Sequence, residues 1–83
     1  MAYRWEITKD FIDFNLTGIQ GPGVNYGEEK ITENKATFRL IDDDGEVYCK
    51  GFIYGDYQGF EPLDDYGMPA LGCTMISING EIL

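Results

Sequence analysis

Residues 3–8 alternate along the chain, with Tyr3, Trp5 and Ile7 on one side and Arg4, Glu6 and Thr8 on the other. A period of two built from aromatic and β-branched residues predicts a half-buried strand. Phe11, Ile12, Phe14 and Leu16 follow with Asp10 and Asp13 between them. This looser pattern predicts a second strand after a bend, or irregular structure, because Phe and Ile suit a pleated surface.

The strongest alternation covers residues 36–54. Ala36, Phe38 and Leu40 alternate with Thr37, Arg39 and Ile41, and Asp42-Asp43-Asp44-Gly45 interrupts the run. Val47, Cys49, Gly51 and Ile53 then alternate with Tyr48, Lys50, Phe52 and Tyr54. Two period-two runs around Asp-Gly predict a β-hairpin, since that pair readily supplies the positive φ angles of a tight turn. Gly51 and Gly55 mark a bulge or a close backbone approach within it.

Gly18-Ile19-Gln20-Gly21-Pro22-Gly23 predicts a loop with little regular structure. Residues 26–35 are polar (Glu28, Glu29, Lys30, Thr32, Glu33) around Ile31, which fits a short exposed helix or a loop. Residues 56–71 contain Gly59, Pro62, Gly67 and Pro69 and predict a long structured loop, anchored over one end of the sheet by Phe60, Leu63, Tyr66 and Met68. Residues 73–78 are strand-like, and Asn79-Gly80 predicts a type I′ turn into a last strand at 81–83.

These elements predict an all-β or β-rich α+β chain. The expected architecture is a single antiparallel sheet or small open barrel of four to five strands, with hairpins at 36–54 and 73–83 and one short helix at 26–35. A chain of 83 residues makes one domain with a small core, burying only about 60% of its unfolded surface. Twelve aromatic residues (one Trp, six Tyr, five Phe) are too many for a disordered acidic tail.

Charge changes this picture most. Residues 40–83 carry nine acidic side chains against Lys50 alone, whereas residues 1–39 carry six acidic and five basic, so −8 and −1 make the net −9. Such a field attracts cationic partners at a distance, and self-repulsion means that added salt should stabilise the fold. Phosphate recognition needs clustered Lys and Arg, and the six basic residues are scattered along the sequence, so neither direct nucleic-acid binding nor membrane binding is expected.

Candidate chemistry is thin. The chain has no His, which removes the commonest general base and any Ser-His or Cys-His nucleophile. Gly18 and Gly23 have the spacing of P-loop glycines, but Val24 and Asn25 stand where Lys and Ser or Thr are required. Placing Gly45 at position six of a calcium loop puts Leu40 at position one and Gly51 at position twelve, so both essential ligands are missing. No metal or other cofactor is expected. Cys49 and Cys73 match no metal-binding spacing and are expected as buried, free thiols of a cytoplasmic protein.

The segments Phe38-Arg39-Leu40, Asp42-Asp43-Asp44-Gly45-Glu46, Phe60-Glu61-Pro62-Leu63-Asp64-Asp65-Tyr66-Gly67-Met68-Pro69 and Gly72-Cys73-Thr74 resemble a group of small, uncharacterised bacterial proteins. The resemblance covers about half the chain and carries over no activity. It implies a bacterial origin, a cytosolic setting and a stand-alone domain.

The function expected is therefore that of a non-catalytic acidic binding or adaptor protein engaging a basic protein surface, with nucleic-acid mimicry or inhibition as its sharper form. Asp42, Asp43, Asp44, Glu46, Asp56, Glu61, Asp64 and Asp65 would supply the field, with Tyr57 and Phe60 as anchors for a partner's Arg and Lys. The alternative is a small enzyme or ligand-binding barrel using Asp64, Asp65 and Cys73. For Asp64 and Asp65 a third role is structural, bracing the long loop through backbone N–H groups. An edge strand in so small a sheet also offers a route to a homodimer.

Overall fold

The computed structural model describes residues 3–21 and 32–83. They form one open antiparallel sheet with one helix, and the sheet does not close into a barrel. The strands are β1 (Tyr3–Asp10), β2 (Gln20–Gly21), β3 (Ala36–Ile41), β4 (Val47–Gly55), β5 (Met75–Ile78) and β6 (Glu81–Ile82), in the order β2-β1-β4-β3-β5-β6. The helix α1 (Leu63–Leu71) lies between β4 and β5 in sequence.

Both expected hairpins are present: β3 pairs with β4, and β5 with β6. The strand count is six rather than four to five, because Gln20-Gly21 pairs with Glu6-Trp5 on the free edge of β1. Residues 11–16 are irregular. Their geometry is set by Asp10, whose carboxylate accepts the N–H groups of Ile12 (2.8 Å) and Leu16 (3.1 Å) and so turns Leu16 into the core.

The turn of the first hairpin differs from the expected one. Asp42 and Glu46 close a three-residue loop, Gly45 N–H donates to Asp42 O (3.1 Å), and Gly45 is the loop residue with positive φ. A type I turn followed by a left-handed glycine replaces the two-residue turn. At the second hairpin, Asn79 (φ 50°) and Gly80 (φ 89°) form the I′ turn expected from their identity.

Residues 32–35 are not helical, and residues 26–31 lie outside the described ones. The helix instead occupies the segment that the glycines and prolines mark as a loop. α1 follows Pro62, carries Asp64 and Asp65 in its first turn, and ends at left-handed Gly72 (φ 73°). Gly72 N–H donates to Met68 O (3.3 Å) and Cys73 N–H to Gly67 O (3.0 Å), which satisfies the last carbonyls. The turns are of the wide π type, with i→i+5 bonding, and this widening accommodates Pro69, which has no N–H and would crowd a regular α-turn.

The helix packs on one face of the sheet. Trp5 and Ile7 from β1, Cys49 and Ile53 from β4, Ala36, Phe38 and Leu40 from β3, and Ile76 from β5 meet Leu63, Leu16 and Cys73 in a single core. Tyr66 and Leu71 seal its margin, whereas Phe60 and Met68, expected as anchors, are exposed. Gly67 lets the helix approach: a Cβ there would stand 3.0 Å from Leu40. Gly51 faces Ile7 and Phe38 beside a bulge in β1, and a Cβ would collide with the Glu6 carbonyl.

Candidate functional site

The ten acidic and aromatic candidates fall into two groups at opposite ends of the sheet. Nine-residue β4 runs between them, about 26 Å at the usual rise per residue. One group, Asp42, Asp43, Asp44 and Glu46, forms the β3–β4 turn. The other, Asp56, Tyr57, Phe60, Glu61, Asp64 and Asp65, lies after β4 and at the entry to α1.

At the turn, several carboxylates have structural work. One Asp42 oxygen accepts the N–H groups of Asp44 (2.9 Å) and Glu46 (2.8 Å), and Asp43 accepts the Thr74 hydroxyl (2.6 Å), tying the turn to the approach of β5. Burial, together with the adjacent Asp42 carboxylate, holds the Tyr48 phenol above its ordinary pKa. The side chains of Asp44 and Glu46 are exposed and make no hydrogen bond or ion pair among the described residues.

At the other end, Glu61 accepts Gln58 N–H (2.6 Å) and Gly59 N–H (2.7 Å), organising the turn before the helix. Asp65 accepts the Tyr3 hydroxyl (2.8 Å) and the Trp5 indole N–H (3.1 Å), so it braces α1 against β1 through side chains rather than through loop N–H groups. Tyr57 packs against the core, and Phe60 is 44% exposed. Asp56 and Asp64 are exposed and, like Asp44 and Glu46, unengaged among the described residues.

Asp64, Asp65 and Cys73 do not converge. Cys73 is fully buried beyond the C-terminal end of α1, whereas both aspartates sit in its first turn on the surface. Burial pushes the Cys73 thiol up to about 11 and the Cys49 thiol up to about 12, each with a further contribution from neighbouring negative charge. Both cysteines are free, and at neutral pH both are protonated core residues. Among the described residues no three His, Cys, Asp or Glu side chains gather as metal ligands would. No helix among them is long and apolar enough to cross a membrane.

Sequence order hid a second feature. Five basic residues that are scattered along the chain share the sheet face opposite the core. A bulge between Ile7 and Lys9 brings Lys9 opposite Lys50, Lys50 pairs with Arg39, and Arg39 pairs with Ser77. Further along the same face the Arg4 guanidinium stands 4.4 Å over the Tyr54 ring and the Lys35 ammonium 4.0 Å over Phe52. The sole ion pair among the described residues, Arg4–Glu6 at 3.9 Å, is also there.

No protein-family model, curated protein or solved structure matches this chain.

Proposed function

We propose that this chain is a non-catalytic acidic binding protein that engages a basic protein surface through carboxylates at the two ends of its sheet. The observation that carries this reading is the segregation of charge. Asp44 and Glu46 at the hairpin tip, and Asp56 and Asp64 near the helix entry, are exposed and unengaged, while the described basic residues line the sheet face opposite the core. A domain that used these carboxylates for its own stability would set its cations beside them.

Exposed Phe60, whose carbonyl accepts the Asp64 N–H (2.9 Å), adds an apolar anchor next to one free carboxylate. Aromatic anchors ringed by charge suit a partner's Arg and Lys. Mimicry of a nucleic acid, which asks for one continuous row of carboxylates, is less well supported than a two-point contact, because the acids form two separate groups.

The test is capture of basic proteins on the immobilised chain across a salt gradient. Partners bound through these charges elute as the Debye length falls from about 10 Å at 0.1 M to about 3 Å at 1 M salt. Capture by an Asp44→Asn/Glu46→Gln variant should fall several-fold, whereas Arg39→Gln should leave it unchanged. A partner held equally well in strong salt, or by the tip variant, contradicts the proposal.

A further inference from the structure

We propose that the open face of the sheet carries a binding site for a small phosphate monoester, its phosphate seated between Arg39, Thr37 and Ser77. A shallow depression of about 380 Å³ opens on this face, lined by Thr37, Arg39, Ser77, Asn79 and Gly80. That volume is of the size that small ligands occupy. Arg39 is exposed and permanently charged, and a guanidinium offers paired donors that match phosphate oxygens.

Ser77 supplies an independent observation. It is only 4% exposed and lines the depression, and no side-chain polar atom is buried without a partner among the described residues, so the part of Ser77 that reaches the depression is its hydroxyl. A hydroxyl opening onto the depression can donate to a phosphate oxygen there. Asn79 fixes the wall of the depression, since its side-chain oxygen accepts the Thr37 N–H (3.0 Å).

The charges beside the depression point the same way. Lys9, Lys50 and Arg39 stand on three adjacent strands, at an interstrand spacing of about 4.8 Å, and like charges directly opposite one another destabilise a sheet. Glu6 is the one acid on this face of the described strands, and it pairs with Arg4 two residues away from the row. A bound dianion would relieve the repulsion.

A small ester fits better than a nucleic-acid strand. The rings of Phe52 and Tyr54 are capped by Lys35 and Arg4, so they are not open platforms for base stacking. A net charge of −9 also repels a polyanion far more than a single phosphate.

The experiment is amide chemical-shift titration of the full chain at low ionic strength with inorganic phosphate, ribose 5-phosphate, ribose, succinate and an octauridylate. Phosphate and ribose 5-phosphate should shift Thr37, Arg39, Ser77 and Gly80 saturably, and ribose should not. Arg39→Gln should weaken ribose 5-phosphate about tenfold and Ser77→Ala about threefold, both with wild-type thermal unfolding. Absence of a saturable shift, equal shifts with succinate, unchanged affinity in Arg39→Gln, or tighter binding of the octauridylate per phosphate would each overturn the proposal.

Discussion

Phe38 and Arg39 are neighbours in β3 and face opposite sides of the same sheet. Phe38 is fully buried and meets the Trp5 ring edge-to-face at 6.2 Å and 84°, under the cover of α1. Arg39 is exposed and lies in a row with Lys50 and Lys9 on a face that no helix of the described residues covers. One face is organised by burial of apolar surface and would be intelligible in any small β protein. The other tolerates a row of like charges that folding does not ask for, and that contrast is where function is to be sought.

The largest effect expected separates these two faces directly. Phe38→Ala removes a fully buried ring and should cost about 3–5 kcal/mol, enough to unfold much of so small a domain, while Arg39→Ala should change stability by less than about 0.5 kcal/mol. Urea denaturation of the two variants makes the comparison. Similar losses in both would mean that the outer face is structural.

A pH titration reaches the buried thiols of the core face, together with the Tyr48 and Tyr66 phenols, which burial also raises. The Cys49 and Cys73 thiols have folded pKa values of about 12 and about 11, raised from the ordinary 9.0. The unfolded chain therefore loses these protons first, so their contribution is intact below pH 9 and stability falls as pH rises from there toward 11–12. Thermal melts between pH 7 and 11 should show Tm level at first and then declining. A Cys49→Ala/Cys73→Ala variant that folds should decline less steeply, and an equally steep decline would place the cause elsewhere.

The acidic residues offer a smaller and sharper comparison. Asp65 holds Tyr3 and Trp5, and Asp65→Ala should destabilise by about 1–2 kcal/mol, whereas Asp64→Ala, next to it and unengaged, should be within about 0.5 kcal/mol of wild type. Chemical denaturation in parallel checks this. Equal effects would remove the distinction drawn between bracing and free carboxylates.

How much of this was legible in the sequence depended on whether the deciding interaction was local. The hairpins were readable because alternation in β3 and β4 and the Asn79-Gly80 pair act within a few residues. The helix was not, because Pro62, Gly67 and Pro69 read as breakers. Pro62 ahead of Asp64 and Asp65, with Gly72 after Leu71, were the start and stop signals that could have revealed it. Strand β2 is two residues long and exists only because β1 leaves an edge to pair with.

The division of the acids was available from the hairpin itself: a strand of nine residues between Glu46 and Asp56 must separate them. The basic face was not available. Lys9 would lie on the core side of a regular β1, and only the bulge after Ile7 turns it toward Lys50. Charges at positions 4, 9, 35, 39 and 50 become neighbours through register, which no reading of spacing along the chain supplies.

The central claim is that carboxylates at the ends of the sheet, and not its faces, meet a basic partner. Titrating the isotope-labelled chain with a decamer of arginine, at low and then high salt, tests it most directly. Saturable amide shifts are expected at Asp44, Glu46, Asp56 and Asp64, absent at Thr37, Arg39 and Ser77, and abolished by 1 M salt, where screening acts within about 3 Å. Shifts spread evenly over the chain, or centred on the sheet face, would contradict it.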